Sequence, residues 1–127
     1  MSRIITLFNQ SGGVSKTTLT HNLGYHLAAN KRRVLLIDMD PQASLTQFMG
    51  IDPELLSQTV YNAIIDEEPL FIYPEIIYGI AIAPTNINLS AAELLLPAAT
   101  AREYRLAEAL APIKDNYDFI LIDCPPS

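Results

Sequence analysis

The sequence predicts an α/β fold, a parallel sheet with helices on both faces. Two observations carry that reading. Short, almost continuous apolar runs at residues 4–8, 34–37, 80–83 and 119–122 read as strands covered on both sides. Helical patterns lie between them, and alternation of that kind builds a parallel sheet.

Each element has its own signal. The run at 4–8 is broken by residues 9–15, which include two adjacent glycines. Residues 17–29 then read as a helix, with Leu19, Leu23 and Leu27 as its buried stripe. Lys31, Arg32 and Arg33 follow, where positive charge suits the helix C-terminus. The second strand ends at Asp38. Residues 59–65 suggest a short helix, and residues 66–69 an acidic turn before the strand stopped by Pro84. Ser90 with Glu93 and Thr100 with Glu103 fit the capping-box pattern, predicting two helices separated by Pro97. Leu106, Leu110 and Ile113 give the second of these an apolar face, and the last strand ends at Asp123.

Composition excludes several classes. Half of the 127 residues are apolar and 17% are charged, against about a quarter charged in an average soluble domain. Disorder does not fit so apolar a chain. Cys124 is the single cysteine, so no disulfide framework exists. No run approaches the roughly 20 apolar residues of a membrane span. The expectation is a reduced, cytoplasmic protein. The net charge of −6 weighs against a nucleic-acid binder, but it is uneven. Residues 1–37 hold five bases and no acid, and the remainder holds three bases and fourteen acids. Polyanion chemistry is therefore expected near the N-terminus.

Three strand ends carry suggestive chemistry, and ligands of open α/β sheets bind at that edge. The first is Gln10-Ser11-Gly12-Gly13-Val14-Ser15-Lys16-Thr17-Thr18. Glycines let the backbone approach phosphate oxygens, and the following helix N-terminus offers unpaired N–H groups. Lys16 would reach the outer phosphates and Thr17 a magnesium ion. A strict Walker A pattern fails here, because Gln10 and Ser15 stand where it needs glycine. The second is Asp38-Met39-Asp40-Pro41-Gln42, two carboxylates able to face a cation or a water. The third is the apolar run ending in Asp123, a Walker B pattern that places Asp123 near Mg²⁺.

Taken together, Asn9-Gln10 with Gly-Gly-Val-x-Lys-Thr-Thr, Ile-Asp-x-Asp-Pro-Gln and Ile-Leu-Ile-Asp-Cys-Pro-Pro-Ser resemble the ParA group of deviant-Walker ATPases, within the P-loop NTPases. Ala83-Pro84-Thr85-Asn86 and residues 89–96 and 102–104 extend the likeness over essentially the whole chain. The resemblance implies a cycle. Mg-ATP drives a face-to-face homodimer, the dimer binds DNA without sequence preference, and an adaptor stimulates hydrolysis and release. It implies nucleotide binding by Ser11, Gly12, Gly13, Val14, Ser15, Lys16, Thr17 and Thr18. It implies metal binding by Thr17, Asp38 and Asp123, and a catalytic part for Lys16 and Asp40, the latter positioning water. It also implies a nucleoid-associated location.

Two departures matter. The group's signature lysine falls at Ser11, which is too short and uncharged to reach the other subunit's phosphates. The dimer then either lacks a trans cation or draws one from beyond residue 127; a weakened ATPase is the other reading. The same replacement resembles McdA-type proteins, which space carboxysomes, and implies an McdB-like or ParB-like adaptor. Ser15 replaces a glycine, costing roughly 1–2 kcal/mol if φ is positive there and little if it is negative.

The remaining features are expected to be structural. His21 and His26 are five apart and do not share a helix face. The tyrosines are not interleaved with bases, so no base-stacking platform is expected. Two other functions compete: a fold-related ligase of the cobyrinic acid diamide synthase type, and a membrane-cycling ATPase, which would need an amphipathic helix. The chain ends in the loop after the Walker B strand, so 1–127 is expected to be the N-terminal part of one larger domain.

Overall fold

The structure, a computed structural model, describes residues 2–7 and 13–125, with side chains from residue 17 onward in the second stretch. The elements run β1 (Arg3–Leu7), α1 (Gly13–Ala29), β2 (Val34–Asp38), α2 (Ser44–Phe48), α3 (Val60–Ile65), β3 (Ile80–Ala83), α4 (Leu89–Leu95), α5 (Ala99–Leu110) and β4 (Phe119–Asp123). The four strands form one sheet in the order β1-β4-β2-β3. Every pairing is parallel. The expected strand–helix alternation thus yields a parallel sheet, and β4 inserts between β1 and β2.

Side-chain alternation along the strands builds a core on each face. Leu35, Ile37, Ile120 and Ile122 meet α3, α4 and α5 through Val60, Ile64, Leu89, Ala92, Leu106 and Leu110. Val34, Leu36, Leu121, Ile80 and Ile82 turn to the opposite face, with Leu45 and Met49 from α2. Leu23, Leu27 and Ala28 of α1 pack against the same cluster. Helices therefore cover both faces.

The burial of α1 differs from the leucine stripe. Leu19 is 59% exposed. The helix instead presents Thr17, Thr20 and Gly24 inward, all buried. A methyl group on Gly24 would stand 3.1 Å from Leu36 Cδ2 and 3.8 Å from Leu121 Cδ1. Small side chains here let the helix lie close to the sheet, while Leu23 and Leu27 of the predicted stripe pack beside that contact.

Other boundaries also move. α1 begins at Gly13, four residues before the expected start, because the loop's second half is already helical. Neither predicted capping box forms: α4 and α5 start at Leu89 and Ala99 without a side-chain cap. Ser90 and Thr100 consequently sit inside the first turns. The backbone starts these helices instead, with Leu89 N donating to Asn86 O and Ala101 N to Ala98 O. A reciprocal cap occurs at α3. Thr59 Oγ1 accepts from Tyr61 N at 3.2 Å, and Asn62 Oδ1 accepts from Thr59 N at 3.0 Å. β1 is not covered on both faces: Ile4 is 48% exposed. Ile5 and Leu7 pack toward α1, whereas the α3–α5 core includes no β1 residue. Ile113 lies beyond the end of α5 but still packs on that core. Helix α2 was not anticipated.

At the amino-terminal ends of the two central strands, Asp118 ties β4 to β2. Its carboxylate accepts from Arg33 N at 2.8 Å and from Arg33 Nη2 at 3.2 Å. The Arg33 guanidinium and amide hold the Asp118 carboxyl below the usual carboxylate range. That contribution is complete above the unfolded pKa of about 3.9 and is lost as pH falls through the lower folded value. The thermal midpoint difference between the wild type and Asp118→Asn should hold steady above about pH 5 and shrink below about pH 4. A difference that stays constant down the acid limb would show that the charge contributes nothing. Gly24→Val should lower unfolding free energy by about 1–3 kcal/mol in urea titration, since the added methyls overpack the helix–sheet contact.

Candidate nucleotide and metal site

The register of the sheet assembles the site. Leu7 pairs with Asp123, and Asp38 pairs with Asp123, so three strands end at one level. Neighbouring strands lie about 5 Å apart, so Asp38 and Asp123, paired in register, stand side by side at this end of the sheet. Both are fully buried, and Asp40 is 7% exposed.

α1 starts next to these ends. Its first turn contains Gly13, Val14, Ser15 and Lys16, whose backbone N–H groups have no partner within the helix. Such a terminus suits an anion. Ser15 lies within the helix, where φ is negative, so the positive-φ cost does not arise. Ser11 and Gly12 fall outside the described residues, as do the side chains of Val14, Ser15 and Lys16. Thr18 is half-buried. One turn into the helix, the buried Thr17 hydroxyl donates to Asp123 Oδ2 at 3.3 Å. The small-residue face of α1 makes that contact possible.

Asp38 has a denser set of partners. Oδ1 accepts from Asp40 N at 3.1 Å. Oδ2 accepts from Thr46 N at 2.9 Å and Thr46 Oγ1 at 2.7 Å. Burial pushes the Asp38 carboxyl up to about 7, opposed by the Thr46 and Asp40 hydrogen bonds and reinforced by the Asp123 charge. A cation placed beside it would favour its ionised form.

The loop after β2 is fixed at several points. Met39 N donates to Asp123 O at 2.8 Å and Ala43 N to Asp40 O at 2.8 Å. Asp40 Oδ1 accepts from Gln42 N at 3.0 Å. Ala43 closes the turn with φ of 59°, a left-handed conformation that is costly for a residue with a Cβ. The sequence pattern identified Asp38, Asp40, Thr17 and Asp123, and the fold brings Thr17 beside Asp123 and Asp38 across from it. It missed Thr46 and Thr85. Thr46 lies eight residues past Asp38 in an unanticipated helix, and no spacing marks it.

Magnesium takes oxygen ligands, typically one or two carboxylates together with phosphate and water. A Thr17 hydroxyl beside Asp123 fits that donor chemistry. Among the described residues, no group of three or more His, Cys, Asp or Glu forms a protein-only metal cage. His21 packs against Phe48 with ring centroids 4.7 Å apart, while His26 Nε2 lies 3.5 Å from Asn30 Nδ2. No helix among the described residues is long and apolar enough to cross a membrane.

The sequence profile of the AAA_31 family, an AAA domain, matches residues 2–127. The chain belongs to the AAA_31 family. This AAA_31 chain is 43% identical over 129 residues to the sporulation initiation inhibitor protein Soj of Bacillus subtilis, covering 100% of the chain and 51% of Soj. It is 40% identical over 129 residues to the chromosome partitioning protein ParA of Myxococcus xanthus, covering 100% of the chain and 46% of that protein. The chain thus spans about half the length of the curated relatives it matches. Among solved structures, it resembles cobyrinic acid a,c-diamide synthase from Mycobacterium smegmatis with bound ADP and magnesium. That match has a TM-score of 0.91 and 39% identity, covering 100% of this chain and 52% of that one. It also resembles an ATP complex of a Cyanothece McdA variant, with a TM-score of 0.84 and 29% identity, covering 99% and 49% of the two chains. The AAA_31 fold is therefore a P-loop NTPase fold with ParA-like relatives, and the McdA likeness is one of several.

Asp38→Ala tests the buried hydrogen bonds. It leaves the Asp40 and Thr46 amides and the Thr46 hydroxyl without their acceptor. Each unsatisfied buried group costs about 1–3 kcal/mol, so unfolding free energy should fall by at least about 3 kcal/mol. Asp38→Asn, which retains one acceptor oxygen, should lose less in the same denaturant titration.

Proposed function

We propose that the protein containing this chain is an ATP-dependent partition or positioning ATPase. The observation that carries the reading is the Thr17–Asp123 hydrogen bond at the shared strand edge, with the Asp38–Asp40 loop beside it. In the proposed cycle, Lys16 and the amides of Ser11 to Thr18 bind the phosphates of ATP. Thr17 and Asp123 hold magnesium, with Asp38 next to them. Magnesium, when bound, supplies neutralising charge to the phosphate oxygens. Asp40 orients the attacking water, and Asp38 fixes the backbone that carries Asp40. Binding of Mg-ATP drives homodimerisation and DNA binding without sequence preference. A ParB-like or McdB-like adaptor then triggers hydrolysis and release.

The cargo follows from the adaptor. A carboxysome or similar body is the sharper form of the proposal, resting on Ser11 in place of the signature lysine and on the McdA likeness. Plasmid or chromosome partition is its alternative, supported by the Soj and ParA relatives. The cation replacing that lysine, the adenine site and the DNA surface are assigned to segments outside these residues. Those residues would form the N-terminal part of a longer domain, in keeping with half-length coverage of the relatives and the exposed β1 edge. The proposed location is the nucleoid. A metabolic ligase is a second reading, favoured by the likeness to cobyrinic acid a,c-diamide synthase at 39% identity.

Co-sedimentation of the full-length protein separates these readings. ATP should retain it on DNA of any sequence, while ADP should not. Lys16→Ala should abolish retention. Asp40→Ala should keep retention but lower turnover by about a hundredfold or more, the scale of a lost proton-transfer or water-positioning group. ATP-dependent binding to liposomes alone, or turnover that requires cobyrinic acid, would overturn the proposal.

A further inference from the structure

Thr46 stands at a junction that neither the ATP-binding pattern nor the family resemblance explains. It is fully buried, as are Asp38 and Thr85. Its hydroxyl donates to Asp38 Oδ2 at 2.7 Å. Thr46 Oγ1 in turn accepts from Thr85 N at 3.0 Å. Its own amide donates to Asp38 Oδ2 at 2.9 Å. One side chain thus links the end of β2, the start of α2 and the segment just after β3. At zero exposure no bulk water can take over either hydrogen bond, so loss of the hydroxyl leaves an amide and a carboxylate lone pair unsatisfied.

We propose that Thr46 is a positioning residue for Asp40. The chain of force is short. Thr46 fixes Asp38 Oδ2, Asp38 Oδ1 fixes the Asp40 amide, and Asp40 thereby keeps its place relative to Asp123. The contact to Thr85 makes residues 84–86 part of the same unit, so the loops after β2 and β3 move together. The left-handed Ala43 supports this role, because a strained turn persists only when its surroundings hold it in place. Serine could reproduce both hydroxyl bonds. Valine matches the shape of threonine and can make neither.

The catalytic consequence rests on the ATPase reading above; the structural consequence does not. The experiment uses the full-length protein and compares wild type with Thr46→Val and Thr46→Ser. It records amide hydrogen exchange, thermal midpoint, and kcat and KM for Mg-ATP. Thr46→Val should accelerate exchange at the non-proline amides of residues 39–46 and at Thr85 and Asn86 by about tenfold, the scale of one lost hydrogen bond to a charged group. Exchange in β1 should not change. The value of kcat should fall by about tenfold while KM stays within about threefold, because a water-positioning group is disturbed and phosphate binding is not. Thr46→Ser should restore both readouts to within about threefold of wild type. Wild-type exchange in Thr46→Val, or a serine variant as impaired as the valine one, would overturn the inference. So would a fall in kcat without faster exchange in the two loops. If T46V does not fold, T46A takes its place in the same comparison. If the wild-type protein turns over no ATP with DNA and its adaptor present, the ATPase reading fails and loop exchange alone decides the role of Thr46.

Discussion

A carboxylate shut away from water must find its hydrogen bonds inside the protein, and Asp38 imposes that constraint on everything around it. It lies at the end of the most deeply buried strand. The chain leaving β2 turns back to give it the Asp40 and Thr46 amides and the Thr46 hydroxyl. That return sets the position of α2, includes the left-handed turn at Ala43 and leaves Asp40 just past the carboxyl ends of the strands. Hydrogen bonds to a charged group stabilise by about 1.5–3 kcal/mol each, yet burial still dominates and raises the carboxyl to about 7. Burial therefore favours the neutral acid, and positive charge beside it would favour the carboxylate.

The second constraint is register. Parallel pairing with β4 between β1 and β2 puts Leu7, Asp123 and Asp38 level. A slip of one residue would turn Asp123 to the other face and put Ile122 or Cys124 in its place. The two cores enforce the observed register, since Leu121 packs under α1 and Ile120 and Ile122 pack under α3–α5. Apolar packing thus places the acids, and the acids need little help from one another.

Much of this was legible in the sequence because it depends on local pattern. Four apolar runs marked four strands, and terminal aspartates marked the edge where Thr17, Asp38 and Asp123 gather. The errors arose where tertiary packing overrode local signals. Leu19 fitted a helical stripe but faces outward, because Gly24 and Thr20 allow closer approach to the sheet than leucine would. Ser90 and Thr100 had the spacing of caps, but backbone turns had already begun their helices. Thr46 carried no signal at all. Its role exists only because the chain folds back on a residue eight positions earlier, and a periodicity search has no term for that.

Gly24 has a consequence beyond packing. Seven residues separate it from Thr17, or about 10 Å along a helix. The helix is stiff over that length, so a shift where Gly24 packs on Leu36 is carried along its axis. A displacement at Gly24 would reach the Thr17–Asp123 contact with little attenuation. Substitutions on the sheet surface beneath α1, none of them touching a phosphate or a metal, could therefore tune the spacing of the two groups assigned to magnesium. The hydrophobic interior of this fold is in that sense a ruler for the edge that carries Thr17 and Asp123.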